Sequence, residues 1–179
     1  MMIKFINWVP TRPESIDAFF ELAPVSFSDI VYDLGSGDGR LLFAALEKGA
    51  GRCVGVDVDR ECVTDAREKA KEKGMEDKVC FVHGDATETD LSPASVVLCY
   101  MYPSASYALR SQLEEELKPG SRVIMETFPV PGWKPNEIRE IEGGKLYLYI
   151  MPIEKTEDYD DAINHLDFIP YYEYPEEDG

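Results

Sequence analysis

Residues 30–42 read IVYDLGSGDGRLL, an apolar run that gives way to three alternating glycines and then to a second apolar run. The first part, DIVYDL, has strand length and no polar alternation. That pattern predicts a strand covered on both faces, as in a parallel sheet. GRLLFAALEKG, with its glycine stop, predicts a helix directly after the loop. Between them, Gly35, Gly37 and Gly39 allow positive φ and let another group approach the backbone without meeting a Cβ. A tight turn alone does not require three glycines in alternation, so the loop points to a ligand.

Working outward, strand-like and helix-like runs alternate along the chain. SIDAFFELA, at 15–23, has helical spacing behind Pro13. RCVGVDV predicts a second strand and DRECVTDAREKAKEKG a second helix, with Asp59 as N-cap and Gly74 as the C-terminal stop. KVCFVHG, ASVVLCYMY and SRVIMETF are expected as the third, fourth and fifth strands, and SASYALRSQLEEELKPG as the helix before the fifth. PVPGWKP reads as a proline-rich loop, and NEIREIEGGKLYLYIMP as a hairpin about Gly143 and Gly144. The expected fold is therefore α/β: a Rossmann-like, mostly parallel sheet with an antiparallel C-terminal hairpin and helices on both faces. One domain is expected over residues 1–152, with an acidic, aromatic-containing tail over 153–179.

The loop's spacing separates candidate ligands. A dinucleotide fingerprint is G-x-G-x-x-G, with a pyrophosphate held at the helix N-terminus. Here the third glycine comes one residue early, and Asp33 and Asp38 flank the loop. Carboxylates repel a pyrophosphate and suit a cationic ligand end such as an α-amino group or a sulfonium. Asp33 can equally cap loop N–H groups, and the two roles are compatible. Asp57 closes the second strand 18 positions after Gly39, placed to accept from both hydroxyls of a ribose. Asp85, in HGDA at the end of the third strand, is placed to accept from an adenine amine. Acids at three successive strand ends around G-x-G-x-G point to S-adenosylmethionine.

With these residues in view, the chain resembles the seven-strand class I methyltransferases, whose first motif is close to DLGSGDGR. VPTRPESIDAFFELA and LEEELKPGSRVIMETFPVPGWKP further resemble one subgroup, the archaeal broad-specificity protein-lysine methyltransferases and their mitochondrial relatives acting on ATP synthase or adenine nucleotide translocase. The resemblance covers residues 8–152. It implies S-adenosyl-L-methionine as cofactor, without a metal, and contacts to it from Asp33, Gly35, Ser36, Gly37, Asp57 and Asp85, with Val58, Ala86 and Tyr100 beside them. Val9, Pro10 and Thr11 are expected to close over the cofactor from the N-terminal side. The acidic tail lies outside the subgroup's pattern.

Methyl transfer is an in-line displacement, so alignment and desolvation dominate. A lysine nucleophile must first lose its proton, and an apolar or aromatic channel favours the neutral amine. Tyr100 and Tyr102, in LCYMYPS at the end of the fourth strand, are the candidates to hold it, on one strand face with Met101 opposite. Glu126, past the fifth strand, is placed to attract the incoming ammonium; an ordinary surface acid is the alternative. Phe128 lies near the same mouth, and Trp133 is expected to be a packed loop anchor. The chain lacks the [N/D/S]-P-P-[Y/F] motif of adenine-amine methylation, the acid cluster of metal-assisted enzymes and the Pro-Cys of cytosine enzymes. A small-molecule or RNA methyltransferase on the same fold stays open, as does a non-catalytic cofactor-binding module.

The 179 residues carry a formal net charge of −17, from 35 acidic and 18 basic side chains. Such a field disfavours duplex nucleic acid as a partner and favours a basic protein surface bearing lysines. About half of the excess lies in residues 154–179, with ten acids against Lys155. That tail also carries Tyr159, Phe168, Tyr171, Tyr172 and Tyr174, so folding back on the domain or docking on a partner are both expected of it. Cys53, Cys62, Cys80 and Cys99 show no metal spacing, and those in strand-like runs are expected in the core. No run has the length of a signal peptide or membrane span, which leads to the expectation of a cytoplasmic protein of unspecified oligomeric state.

Overall fold

The computed structural model describes Thr11 and residues 13–165. Helix α1 (Pro13–Leu22) begins at its proline, where the missing N–H is harmless. It leads into β1 (Ile30–Leu34), α2 (Arg40–Glu47), β2 (Arg52–Asp57), α3 (Arg60–Glu72) and β3 (Val79–His83). After a 3-10 turn at Ala86–Glu88 come β4 (Val96–Cys99), α4 (Pro103–Glu116) and β5 (Arg122–Glu126). The chain continues through β6 (Trp133–Lys134), β7 (Glu137–Ile141), β8 (Gly144–Ile150) and β9 (Glu154–Lys155). Local chemistry sets several of these ends. The Asp59 carboxylate accepts the N–H groups of Glu61 and Cys62 at 2.9 and 3.2 Å, and Gly74, at φ +64°, follows the last turn of α3.

The sheet runs in the order β3-β2-β1-β4-β5-β8-β7. β1 to β5 are parallel, and β8 pairs antiparallel with both β5 and β7. Strand order reverses between β1 and β4, so the carboxyl ends of these strands open a crevice at the switch point. Period-2 alternation sorts the side chains into two cores. Val31, Leu98 and Ile124 pack with Phe19, Leu42 and Val63 on the face of α1, α2 and α3. Tyr32, Leu34, Val97, Cys99 and Met125 pack with Leu109 and Leu113 of α4 on the other. The same alternation carries Asp33, Asp57 and Glu126 onto the first face, each at a strand's carboxyl end.

Four details depart from the sequence reading. β4 stops at Cys99, so Tyr100 and Tyr102 stand in a loop rather than on a strand, although Met101 between them is still buried. The hairpin turn is Glu142-Gly143, because Gly144 is already paired with Ile141. PVPGWKP is not wholly loop: Trp133 and Lys134 pair with Lys155 and Glu154 in a two-stranded ribbon. Cys80 is exposed, because β3 is the outermost strand and turns this residue away from α3. Trp133 itself is a packed anchor, 2% exposed, its ring edge-on to Tyr149 and its Nε1 donating to Glu114 Oε1 at 2.8 Å. Part of the tail also lies against the domain, with Ala162 buried and Ile153 and Tyr159 packed on the α4-side core, while Phe168, Tyr171, Tyr172 and Tyr174 lie outside the described residues.

Candidate active site

The 35–39 loop sits where β1 hands over to α2. Gly35 and Ser36 both donate their N–H to Val56 O, at 2.8 and 3.1 Å, which ties the loop to β2. Gly35 has φ +91°, and a Cβ built on it would meet nothing within 4 Å, so backbone is left bare toward open space. Gly39 serves a different purpose. Its φ is +79°, and a Cβ there would lie 2.5 Å from the Phe81 ring. A Cβ on Gly55 would meet the same ring at 2.6 Å and Ser36 Oγ at 2.7 Å. Phe81, from β3, thus fills the space beneath the loop that these two glycines leave. Ser36 Oγ is buried without a hydrogen-bond partner among the described residues.

Above the loop lies a cleft of ≈ 410 Å³, open to solvent and lined by Thr11, Phe19, Asp33, Gly35, Ser36, Asp38, Arg40, Leu41, Cys99 and Tyr100. Its carboxylates differ sharply. Asp38 is held by Arg40 Nε and Nη2, both at 2.9 Å, and by Lys69 Nζ at 3.0 Å. Burial works against its charge, but these bonds and cations win and bring its pKa down to about 2. Asp38 is therefore spent within the protein, and the expectation that it faces a cationic ligand is corrected. Asp33 is 4% exposed, and no hydrogen bond reaches its carboxylate among the described residues. Burial, then the charges of Asp57, Glu126 and Asp38, push its pKa up to about 8. A capping role for Asp33 is not what the structure has. Asp57 does that work, accepting from Gly37 N and Asp59 N at 2.8 Å each.

Of the other expected residues, Thr11 and Tyr100 line the cleft, whereas Gly37, Asp57, Asp85 and Glu126 are not among its lining residues. Asp85 Oδ1 accepts from Thr87 N and Oγ1, at 2.9 and 2.8 Å, which fixes it on the β3 rim. Val58 O meets His83 Nε2 at 3.0 Å. Ala86 is 2% exposed, its methyl buried in the α4-side core, so any ligand contact it makes is through backbone. Thr11 lines the cleft, donates to Glu126 Oε2 at 3.3 Å and accepts Arg40 Nη1 at 3.1 Å. Val9 and Pro10 lie outside the described residues. Glu126 is half-buried, and burial raises its pKa against the pull of the Thr11 hydroxyl. Tyr100 is in the cleft; Tyr102 stands outside it, its ring 5.7 Å from Phe128. Arg40 and Lys69 were not singled out as site residues. The first was legible as a cation two positions after Asp38, whereas the second arrives from α3 and had no local signal.

An acidic, glycine-floored cleft at the switch point of a seven-strand sheet agrees with what the chain is similar to. Residues 33–137 match the ANTKMT methyltransferase domain. A protein-lysine N-methyltransferase of Saccharolobus islandicus (strain REY15A) is 35% identical over 154 residues, covering 83% of this chain and 96% of that one. The adenine nucleotide translocase lysine N-methyltransferase of Mus musculus is 35% identical over 103 residues; this chain spans 45% of its length. Among solved structures, an RNA methyltransferase from Salinibacter ruber in complex with S-adenosyl-L-homocysteine superimposes with a TM-score of 0.80 at 41% identity, covering 85% of this chain and 99% of that one. The chain belongs to the family of the ANTKMT methyltransferase domain.

Proposed function

We propose that this chain binds S-adenosylmethionine in the cleft above the 35–39 loop and transfers its methyl group to lysine ε-amino groups of protein acceptors. The observation that carries the reading is Asp33: a buried carboxylate without a donor among the described residues, beside bare backbone at Gly35. Such a site is completed by a ligand that brings a cation. The cofactor supplies, when bound, a methyl group activated on a sulfonium. Asp33 gives up its proton to face the cationic methionyl end. Gly35 and Gly37 admit the ligand against the backbone. Each Asp57 oxygen has one loop donor and keeps lone pairs for ribose hydroxyls. Asp85 stands at the strand end where an adenine amine is expected.

On the acceptor side, Tyr100 holds the amine near the end of β4, and the Tyr102–Phe128 pair walls the mouth. An aromatic wall disfavours the ammonium, while Glu126 draws it in and stands ready for its proton. The named activities of the Saccharolobus and mouse relatives support lysine as acceptor. The Salinibacter RNA methyltransferase favours a second reading, RNA as acceptor. A net charge of −17 and a carboxylate at the mouth oppose a polyanion, so the protein acceptor is the reading adopted.

The test is incubation with tritiated-methyl cofactor and, in parallel, core histones and total RNA, with methyl groups located by mass spectrometry. Methyllysine in the histones is the expected result. Label in RNA with none on lysine would overturn the acceptor assignment and leave the fold untouched.

A further inference from the structure

The loop that carries Phe128 is held at both ends in an unusual way. At its start, Thr127 has φ +69°, and Phe128 N donates to Glu126 O at 2.8 Å. That pairing of a positive φ with an i→i+2 bond is the strained form of γ-turn, costly for a β-branched residue. It turns the chain off β5 so that Glu126 stays against Thr11 while Phe128 reaches Tyr102. Strain of this kind persists only where the surroundings over-determine it.

At the loop's far end the surroundings do so. Val130 N donates to Tyr149 Oη at 3.0 Å, and Arg110 Nη1 donates to Pro131 O at 3.2 Å and to Tyr159 O at 3.0 Å. Thr156 N donates to Gly132 O at 2.9 Å. The Tyr159 ring lies 3.9 Å from Arg110 Cζ and 3.7 Å from Lys155 Nζ, and its hydroxyl donates to Glu114, 2.7 and 2.9 Å from the two carboxylate oxygens. A Cβ on Gly132 would meet Arg110 Nη1 at 2.6 Å and Tyr159 Cα at 3.1 Å, so the loop passes here with no room to spare. Glu114 also takes the Trp133 indole, which joins α4, the loop and the C-terminal segment in one node.

We propose that Tyr159 is a positioning residue for the methyl acceptor: clasped on Arg110 and Glu114, it holds the strained 127–132 loop so that Phe128 and Glu126 stay at the mouth. The inference rests on the reading that the acceptor enters past Tyr102 and Phe128. It assigns the first part of the acidic C-terminal segment to the acceptor half of the enzyme and leaves the cofactor half independent of it.

The test compares Tyr159→Ala, Tyr159→Phe and Phe128→Ala with the parent protein. Hydrogen exchange should quicken by about tenfold at Phe128 and Val130 in Tyr159→Ala, with β1 and α2 unchanged. Calorimetry should give a cofactor Kd within about twofold, while KM for core histones rises about fivefold or more at a nearly constant kcat. Tyr159→Phe keeps the stacked ring and should show a smaller rise. Unchanged loop exchange, or a cofactor Kd that weakens as much as KM rises, would overturn the proposal. If Phe128→Ala raises KM and Tyr159→Ala does not, the clasp is wrong and the acceptor mouth stands. If Phe128→Ala leaves KM unchanged, the mouth itself is misassigned and the proposal falls with it.

Discussion

Asp33 and Asp38 stand five positions apart and titrate in opposite directions, which makes the cleft's electrostatics measurable without any ligand. Asp33 keeps its proton in the folded protein up to about 8, whereas the unfolded chain releases it near 3.8. Its contribution to stability is therefore present below about 3.8 and is lost as pH climbs toward 8. Asp38, at about 2 when folded, contributes above 3.8 and loses its contribution as pH falls toward 2. Urea unfolding of the ligand-free protein should then show stability falling between pH 5 and pH 8, and Asp33→Asn should flatten that fall, gaining on the order of 1–3 kcal/mol at pH 8. A parallel decline in the variant would mean that Asp33 is ionised in the empty cleft. Both acids were legible as ligand candidates from their place beside the glycines. Which of them has its carboxylate matched within the protein was not, because one of the two cations that neutralise Asp38 is Lys69, 31 residues away on α3.

At the scale of elements, those with a local cause were the legible ones. Proline at the start of α1, the Asp59 cap and the Gly74 stop of α3 each act within a few residues. Asp59→Ala should cost about 1 kcal/mol in urea unfolding and leave cofactor affinity unchanged, because the bonds lost belong to the helix end. Elements whose cause lies elsewhere in the chain were not legible. β6 and β9 are two residues each, too short for periodicity, and exist because the C-terminal segment returns across the β5–β6 loop. The hairpin turn moved by one residue because Gly144 is a strand residue whose missing Cβ makes room for Thr127 Oγ1, 3.2 Å from where that Cβ would be. The turn at Thr127 itself had no sequence signal, since threonine does not favour positive φ.

For the whole molecule, the alternation of strand-like and helix-like runs was enough for a parallel sheet with helices on both faces, and G-S-G-D-G located the cleft at its switch point. What lies on the acceptor side depends on contacts among α4, the β5–β6 loop and the C-terminal segment, which are distant in sequence. The excess of negative charge adds a property of the molecule as a whole. Attraction between an acidic enzyme and a lysine-rich acceptor is screened over about 10 Å at 0.1 M salt. Raising ionic strength from about 0.05 to 0.3 M should therefore increase KM for histones several-fold with little change in kcat. A KM insensitive to salt would remove long-range charge from the account of acceptor choice. Whether Asp33 marks the place of a cationic cofactor is decided by calorimetric titration of S-adenosylmethionine at pH 7 into the parent protein and Asp33→Ala, in two buffers of different ionisation enthalpy. Binding with net proton release is expected of the parent and a loss of about 100-fold or more of the variant; equal affinity in the two proteins, with no proton released, would mean that Asp33 does not face the cofactor.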